Sequence, residues 1–364
     1  MISTKDILPI LILLSLLLSF SGKETVRREK AFDVYTQDSI RMEVELVYNA
    51  DNLPDHYFSH VRTPVCEDGL CDLLVIDLYW DLLGNFRKYE TVSGRPLTKF
   101  DHEAFKEEDH EKLQKILTDS RSLLGENQLE DLIDEGTKKV SEEVDAVTGA
   151  TKKSVENAVV SGAVYSTYVL WHIVHGEIAE RIPKHTQSIW NENILEHFLT
   201  ADNYDYQYHA LDQLSPEQYE EYMPEVLRML DGESIFVALY TLAHLPAQQL
   251  KNEKWQIALA RCYPDLSYRA QNKLLERLSE TKLSGESMEI LAGAMDSMNI
   301  IQLEAVLGIF LKNKSLLTSE SIYKLTALLK QAKSVYADKV YQTLKAMKLK
   351  DKKIRKAIKN YENN

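Results

Sequence analysis

Thr151 is the residue of this chain best placed for specific chemistry. It closes the run Asp145-Ala146-Val147-Thr148-Gly149-Ala150-Thr151. Gly149 and Ala150 carry almost no side chain, so a bulky phosphate can approach the backbone beside them. An apolar-periodic stretch follows at once, and its spacing predicts a helix from Lys152 to about Ala179 with Thr151 at its start. The first N–H groups of a helix lack intrahelical partners. With the helix dipole they favour an anion by roughly 0.3–1 kcal/mol per interaction when exposed. Lys152 and Lys153 add positive charge. The position suits a threonine that holds a phosphate or is esterified by one. The plain alternative is a loop in which Thr151 only caps the helix. A Walker-type phosphate loop is excluded, because Gly149 to Ser154 lacks the second glycine of that motif.

The same segment resembles the FMN-binding domain family, the module of redox-pump subunits in which flavin mononucleotide is phosphoester-linked to a threonine. The family's attachment pattern is Asp, two variable residues, Ser or Thr, then Gly-Ala-Thr. Asp145, Thr148, Gly149, Ala150 and Thr151 stand in register with it. Ser154, Val155, Ala158 and Val159 fit the continuation, while Lys153 stands where the family usually has a hydroxyl residue. The resemblance implies FMN covalently attached to Thr151, with Asp145, Thr148, Gly149, Ala150 and Ser154 in the surrounding site. It also implies a separate flavin transferase and an α+β fold.

Other chemistry-bearing residues are weaker candidates. His172 and His175 lie on one face of the expected helix and could share a metal or haem. No third and fourth ligand follows by spacing, so core or helix-end histidines are the simpler reading. Tyr165, Tyr168 and Trp171 form an aromatic stripe, read as core before a flavin-stacking face. Acids cluster from Asp101 to Asp145, including Glu107, Glu108, Asp109, Glu130, Asp131, Asp134 and Glu135. Their spacing matches no EF-hand loop, which favours a solvated face over a Ca²⁺ or Mg²⁺ site.

The N-terminus sets the compartment. Lys5 precedes an apolar run from Ile7 to Phe20, ending in Ser19-Phe20-Ser21. A cation, a short apolar stretch and small residues read as a secretory signal over 1–21. The run is shorter than the roughly 20 residues needed to span a bilayer. The expectation is an extracytoplasmic protein, periplasmic or secreted, with membrane attachment only if the segment stays uncleaved. Cys66 and Cys71 enclose Glu-Asp-Gly-Leu. In an oxidising compartment a local disulfide is the default, and a dithiol passing electrons to a flavin is the alternative. Cys262 is left over, read as a small buried hydrophobe.

The 56 acids against 43 bases give a net charge of −13, which argues against nucleic acid as a partner of the body. A basic stretch from Lys345 to Lys359 reads as a solvated terminal helix, with a membrane or acidic-partner contact as the alternative.

The elements that would position Thr151 fall in the first half. Arg41 to Val47 alternates as a half-buried strand, Leu73 to Trp80 reads as a central strand, and Asn85 to Thr91 pairs with it as a hairpin. Asp109 to Leu117 and Gln128 to Ile133 look helical. Residues 22–181 are therefore expected to form an α+β, FMN-binding-like domain.

Beyond Pro183 strand signals disappear, and 182–364 read as an all-α domain. Leu214-Ser215-Pro216-Glu217, Leu245-Pro246-Ala247, Leu283-Ser284-Gly285-Glu286 and Leu317-Thr318-Ser319-Glu320 punctuate it at intervals of 31, 38 and 34 residues. Ser215 with Gln218 makes a capping box. Ile235 to Leu245, Arg269 to Leu278 and Leu303 to Leu311 carry similar apolar periods. The reading is an α-solenoid of HEAT-like repeats, whose usual role is an extended surface for a macromolecular partner.

Two functions follow. In the first, an exported flavoprotein relays electrons between extracytoplasmic partners, including a protein redox partner. That would make it an electron carrier rather than an enzyme with its own small-molecule substrate. In the second, the chain is an extracytoplasmic helical-repeat adaptor without flavin.

Overall fold

The computed structural model describes residues 27–35, 40–64, 73–99, 103–132, 157–330 and 334–363. Two compact units divide between Ile194 and Leu195. The border expected at 181/182 falls inside one helix, Glu177–Ser188, which carries Pro183 in its interior.

Unit one is built on a five-stranded antiparallel sheet in simple sequence order. Its strands are β1 Arg28–Tyr35, β2 Arg41–Tyr48, β3 Pro54–Thr63, β4 Leu74–Trp80 and β5 Phe86–Thr91. β2, the β4–β5 hairpin and their limits agree with the strands read from the sequence. β1 and β3 were not expected, and β3, not β4, holds the middle position. The register explains the core. Tyr57 faces Trp80, Ser59 faces Leu78 and Val61 faces Ile76, and all six are buried. Phe32 opposite Val44 and Val34 opposite Met42 extend the same face. On the other face exposed pairs meet, such as His60 with Asp77 and Arg41 with Glu43.

Helices cover the apolar face. They are α1 Glu107–Thr118, α2 Leu129–Leu132, α3 Val164–His175, α4 Glu177–Ser188 and α5 Glu192–Thr200, the last crossing into unit two. Glu107, Glu108 and Asp109 open α1, where acids suit the dipole. Asp109 is not part of a simply solvated face. Its carboxylate accepts from the Lys106 N–H at 2.9 Å and pairs with the largely covered Lys99 at 2.6 Å, contacts that hold its pKa down against burial.

The β4–β5 turn is tied to α4 by one glycine. Gly84 has φ +85°, a conformation that L side chains rarely adopt, and an added Cβ would stand 2.4 Å from the Ala179 carbonyl oxygen. Pro183, four residues on, has no N–H with which to bond that carbonyl. The turn at Gly84 packs against that carbonyl. The Trp80 indole donates to the Val174 carbonyl at 2.9 Å, fixing the sheet to the end of α3.

Unit two is helical throughout its described residues. Its helices are α6 Tyr204–Gln213, α7 Pro216–Glu221, α8 Met223–Arg228, α9 Ile235–His244, α10 Ala247–Lys251, α11 Glu253–Cys262, α12 Tyr268–Ser279, α13 Gly285–Ala294, α14 Ile300–Lys312, α15 Ser319–Leu328, α16 Val335–Met347 and α17 Lys352–Asn363. All four punctuation points open helices. Ser215, Ser284 and Thr318 are side-chain N-caps, Ser215 with Gln218 closes a capping box, and Pro246 precedes α10. α6, α9, α12, α14 and α16 contact one another in succession, and α11, α13, α15 and α17 do likewise. Cys262 is free and half-buried rather than fully enclosed.

Candidate functional site

Asp145, Thr148, Gly149, Ala150, Thr151 and Ser154 lie outside the described residues, as do Cys66, Cys71 and the N-terminal segment. What the structure describes is the element that receives the chain after the motif. From Asn157 to Ala163 the backbone forms turns, not helix, and α3 begins only at Val164. The expected helix from Lys152 to Ala179 is thus corrected over its described part, and a second break falls at Gly176, between α3 and α4. The physical reasons are local. Gly162 adopts φ +75°, which no α-helix contains. At Gly176 the chain extends to ψ −144° and a Cβ would lie 2.4 Å from the His172 carbonyl oxygen.

The turn ahead of α3 is clamped from inside. Val159 and Val160 are fully buried. Thr167, also fully buried, donates its hydroxyl to the Ala163 carbonyl at 2.7 Å and accepts from the Val160 N–H at 3.3 Å. Burial of the two valines contributes about 1.5–3 kcal/mol each. The chain immediately following the motif segment is therefore held by the core.

Further along α3, Trp171 and His175 serve the end of α1. The last carbonyls of a helix have no intrahelical donor. The Trp171 indole donates to the Asp119 carbonyl at 3.0 Å, and His175 Nε2 to the Leu117 carbonyl at 2.8 Å. A carbonyl only accepts, so Nε2 of His175 carries the proton. Trp171 also lies against Gly125, where a Cβ would meet its ring at 2.7 Å. His172 lies tilted against Tyr168, with ring centroids 4.3 Å apart and their planes at 56°. Burial lowers the pKa of both histidines. No group of three His, Cys, Asp or Glu able to hold a metal occurs among the described residues. Within the stripe, Tyr165 and Trp171 are buried.

One polar network was not visible in the sequence. The Thr186 hydroxyl donates to the Leu82 carbonyl at 2.7 Å, so it must accept from the Tyr57 hydroxyl at 3.0 Å. Tyr57 then has only its oxygen lone pairs to offer His185 Nδ1, 2.8 Å away. His185 is therefore the Nδ1–H tautomer when neutral, and Nε2 is the atom that takes up a proton. Burial pushes the Tyr57 phenol up and the His185 imidazole down. The partners are 128 and 129 residues apart, so no spacing rule could have joined them.

Concavities occur in both units. In unit one a cavity of about 260 Å³ is lined by Arg27, Tyr48, Asn52, Pro54 and Asn191 among others. In unit two an open cleft of about 440 Å³ is lined by Asp202, Asn203, Tyr204, Asp205 and Glu233. Among the described residues no helix is long and apolar enough to cross a membrane. No family model, curated protein or solved structure matches the chain.

Proposed function

We propose that this protein is an exported flavoprotein in which FMN is linked through its phosphate to the Thr151 hydroxyl. The observation that carries the reading is the run Asp145 to Thr151, a hydroxyl behind two residues small enough to admit a phosphate. The clamp at Val159, Val160 and Thr167 supports it, since a loop that presents a large cofactor needs a fixed point in the chain next to it. By the resemblance, Asp145, Thr148, Gly149, Ala150 and Ser154 surround the attachment, and a flavin transferase makes it. When bound, the flavin supplies the redox chemistry, and the chain positions it and tunes its surroundings. Export through the segment before Gly22 places this chemistry outside the cytoplasm, where Cys66 and Cys71 form a disulfide. The last described pair of the β3–β4 hairpin is Thr63 opposite Leu74. Each cysteine stands three residues from its end of that pair, which favours bridging them.

The second reading is an extracytoplasmic helical-repeat adaptor without flavin. It is favoured by the successive contacts of α6, α9, α12, α14 and α16, read as the inner row of a HEAT-like solenoid. Intact mass decides between the two. Protein co-produced with a flavin transferase and exported should gain the mass of FMN less one water, and Thr151→Ala should abolish the gain. An unmodified wild-type mass under those conditions leaves the adaptor reading. Measured without reductant, the same sample should lack two hydrogens at Cys66 and Cys71.

A further inference from the structure

In unit two, α6, α9, α12, α14 and α16 all run the same way. Lys339 in the first half of α16 pairs with Glu304 in α14. Gln302 near the start of α14 donates to Gln271 near the start of α12 at 2.7 Å. At the far ends, Lys312 of α14 donates to the Ser279 carbonyl of α12, and Arg277 of α12 to the Leu245 carbonyl after α9. Asp202 to Asp205 at the start of α6 and Glu233 just before α9 line one cleft. Start lies beside start, so the five N-termini line one edge.

That edge carries apolar side chains that packing does not explain. Nine large apolar residues are exposed in the described part of unit two, and six stand at these helix starts. They are Tyr204, Phe236, Tyr268, Ile301, Val335 and Tyr336, each one or two residues after a capping Asn or Ser. Phe236, Ile301 and Val335 are 67%, 62% and 61% exposed. Scattered single apolar residues are ordinary on a surface. One at every helix start along one row is a pattern.

The charge between them is mostly negative. Asp202, Asp231, Glu233, Asp265 and Asp296 are exposed in the loops leading into these helices, and none is in an ion pair among the described residues. Arg269 and Lys330 are the basic residues in the described loops and first turns of this edge. The 440 Å³ cleft joins the first two rungs, with Asp202, Tyr204 and Asp205 on one side and Glu233 on the other.

We infer that this edge docks an extended, arginine-rich segment of a partner protein. Guanidinium groups match both features, pairing with carboxylates and stacking on aromatic rings. Neighbouring helices stand 8–10 Å apart, so five rungs span roughly 30–40 Å. A chain in the polyproline II conformation advances about 3.1 Å per residue with three residues per turn, so every third residue meets a rung on the same face. The inference is independent of flavin on Thr151, which lies in the other unit.

The probe is a fluorescent 15-residue peptide, Arg-Ser-Gly five times over, titrated by anisotropy against the full chain. It should bind, and the same peptide with Glu for Arg should not. Phe236→Ser with Tyr268→Ser and Ile301→Ser should weaken binding at least tenfold, with circular dichroism unchanged. Tyr323→Ser, an exposed aromatic away from this edge, should leave it unaltered. Asp231→Asn, Glu233→Gln, Asp265→Asn and Asp296→Asn together should remove most of the salt dependence between about 50 and 300 mM, since exposed charges are screened over about a Debye length. No binding at low salt overturns the proposal. So does binding that survives the apolar triple change, which would leave only diffuse attraction to acids. Self-association abolished by charge reversal of Lys352, Lys353 and Lys356 would make the occupant a second copy, and also overturns it.

Discussion

The two units are held together across very different distances along the chain. In the sheet unit the bonds that fix the core join Trp80 to Val174, Leu82 to Thr186, Tyr57 to Thr186 and Arg181 to Asp33, at separations of 94, 104, 129 and 148 residues. In the helical unit the bonds between neighbouring helices recur near one spacing. Gln249 to Pro216 spans 33 residues, Arg277 to Leu245 spans 32, Leu283 to Asn313 spans 30 and Lys312 to Ser279 spans 33. A core closed by distant segments must form as a whole, whereas a row of neighbours can loosen locally. The sheet unit is thus expected to be all-or-none and the helical unit graded.

A pair of buried tryptophans gives the strongest test of that contrast. Trp80 and Trp255 are both fully buried, and each indole donates one hydrogen bond, to the Val174 carbonyl and to Glu220. Truncation of either to alanine should cost about 3–5 kcal/mol locally. Trp80→Ala should raise hydrogen exchange across all five strands together with α3 and α4. Trp255→Ala should raise it only in α11 and the helices touching it, leaving α16 and α17 protected. Uniform loss across the helical unit would erase the distinction.

Glycines sharpen it at smaller magnitude. Gly84→Ala should destabilise the sheet unit by about 2–3 kcal/mol, because the new Cβ meets the Ala179 carbonyl and the positive φ becomes strained. Gly308 lies exposed within α14, with nothing within 4 Å of an added Cβ. Gly308→Ala should stabilise the helical unit by roughly 0.5–1 kcal/mol through helix propensity alone. Denaturant midpoints followed by circular dichroism measure both.

The smallest effect is on pH. Burial lowers the pKa of His172, His175 and His185 in the sheet unit, and of His209 in the helical unit. Unfolded histidine titrates near 6.5. With the folded values below that, the unfolded chain binds more protons in between. Stability is therefore full above about pH 6.5 and is lost as pH falls toward the folded values. Acidification from about pH 7.5 to 6 should weaken the sheet unit more than the helical unit, and His185→Gln should reduce the difference. Equal slopes for the two units would count against the burial of these histidines.

Local signals in the sequence were legible where the physics is local. Alternation marked β2, an apolar β-rich run marked β4, and the turn after it marked β5. Ser215, Ser284 and Thr318 announced helices because a cap acts over three residues. β1 and β3 were hidden for opposite reasons. β1 begins Arg28-Glu29-Lys30, the charged surface of an edge strand. β3 begins at a proline and carries His60 and Arg62 outward, with Ser59 and Thr63 among its inward residues. Ser59 is acceptable inside because its hydroxyl donates to the Glu43 carbonyl at 2.8 Å, a bond to another strand.

The sequence by itself determined the run at Thr151, the change from mixed to helical character, and most helix starts in the second half. These rest on residue type and short spacing. Only the tertiary structure decided that Pro183 lies inside a helix, with the turn at Gly84, nearly a hundred residues earlier, packed against the carbonyl that the proline leaves. Only the structure decided the tautomer of His185, through hydroxyls 128 residues away in sequence and one residue away. The row of exposed aromatic and aliphatic side chains was likewise written in the sequence but not readable there. Tyr204, Phe236, Tyr268 and Ile301 read singly as isolated apolar residues near helix starts, and only the parallel packing of those helices brings them to a single edge.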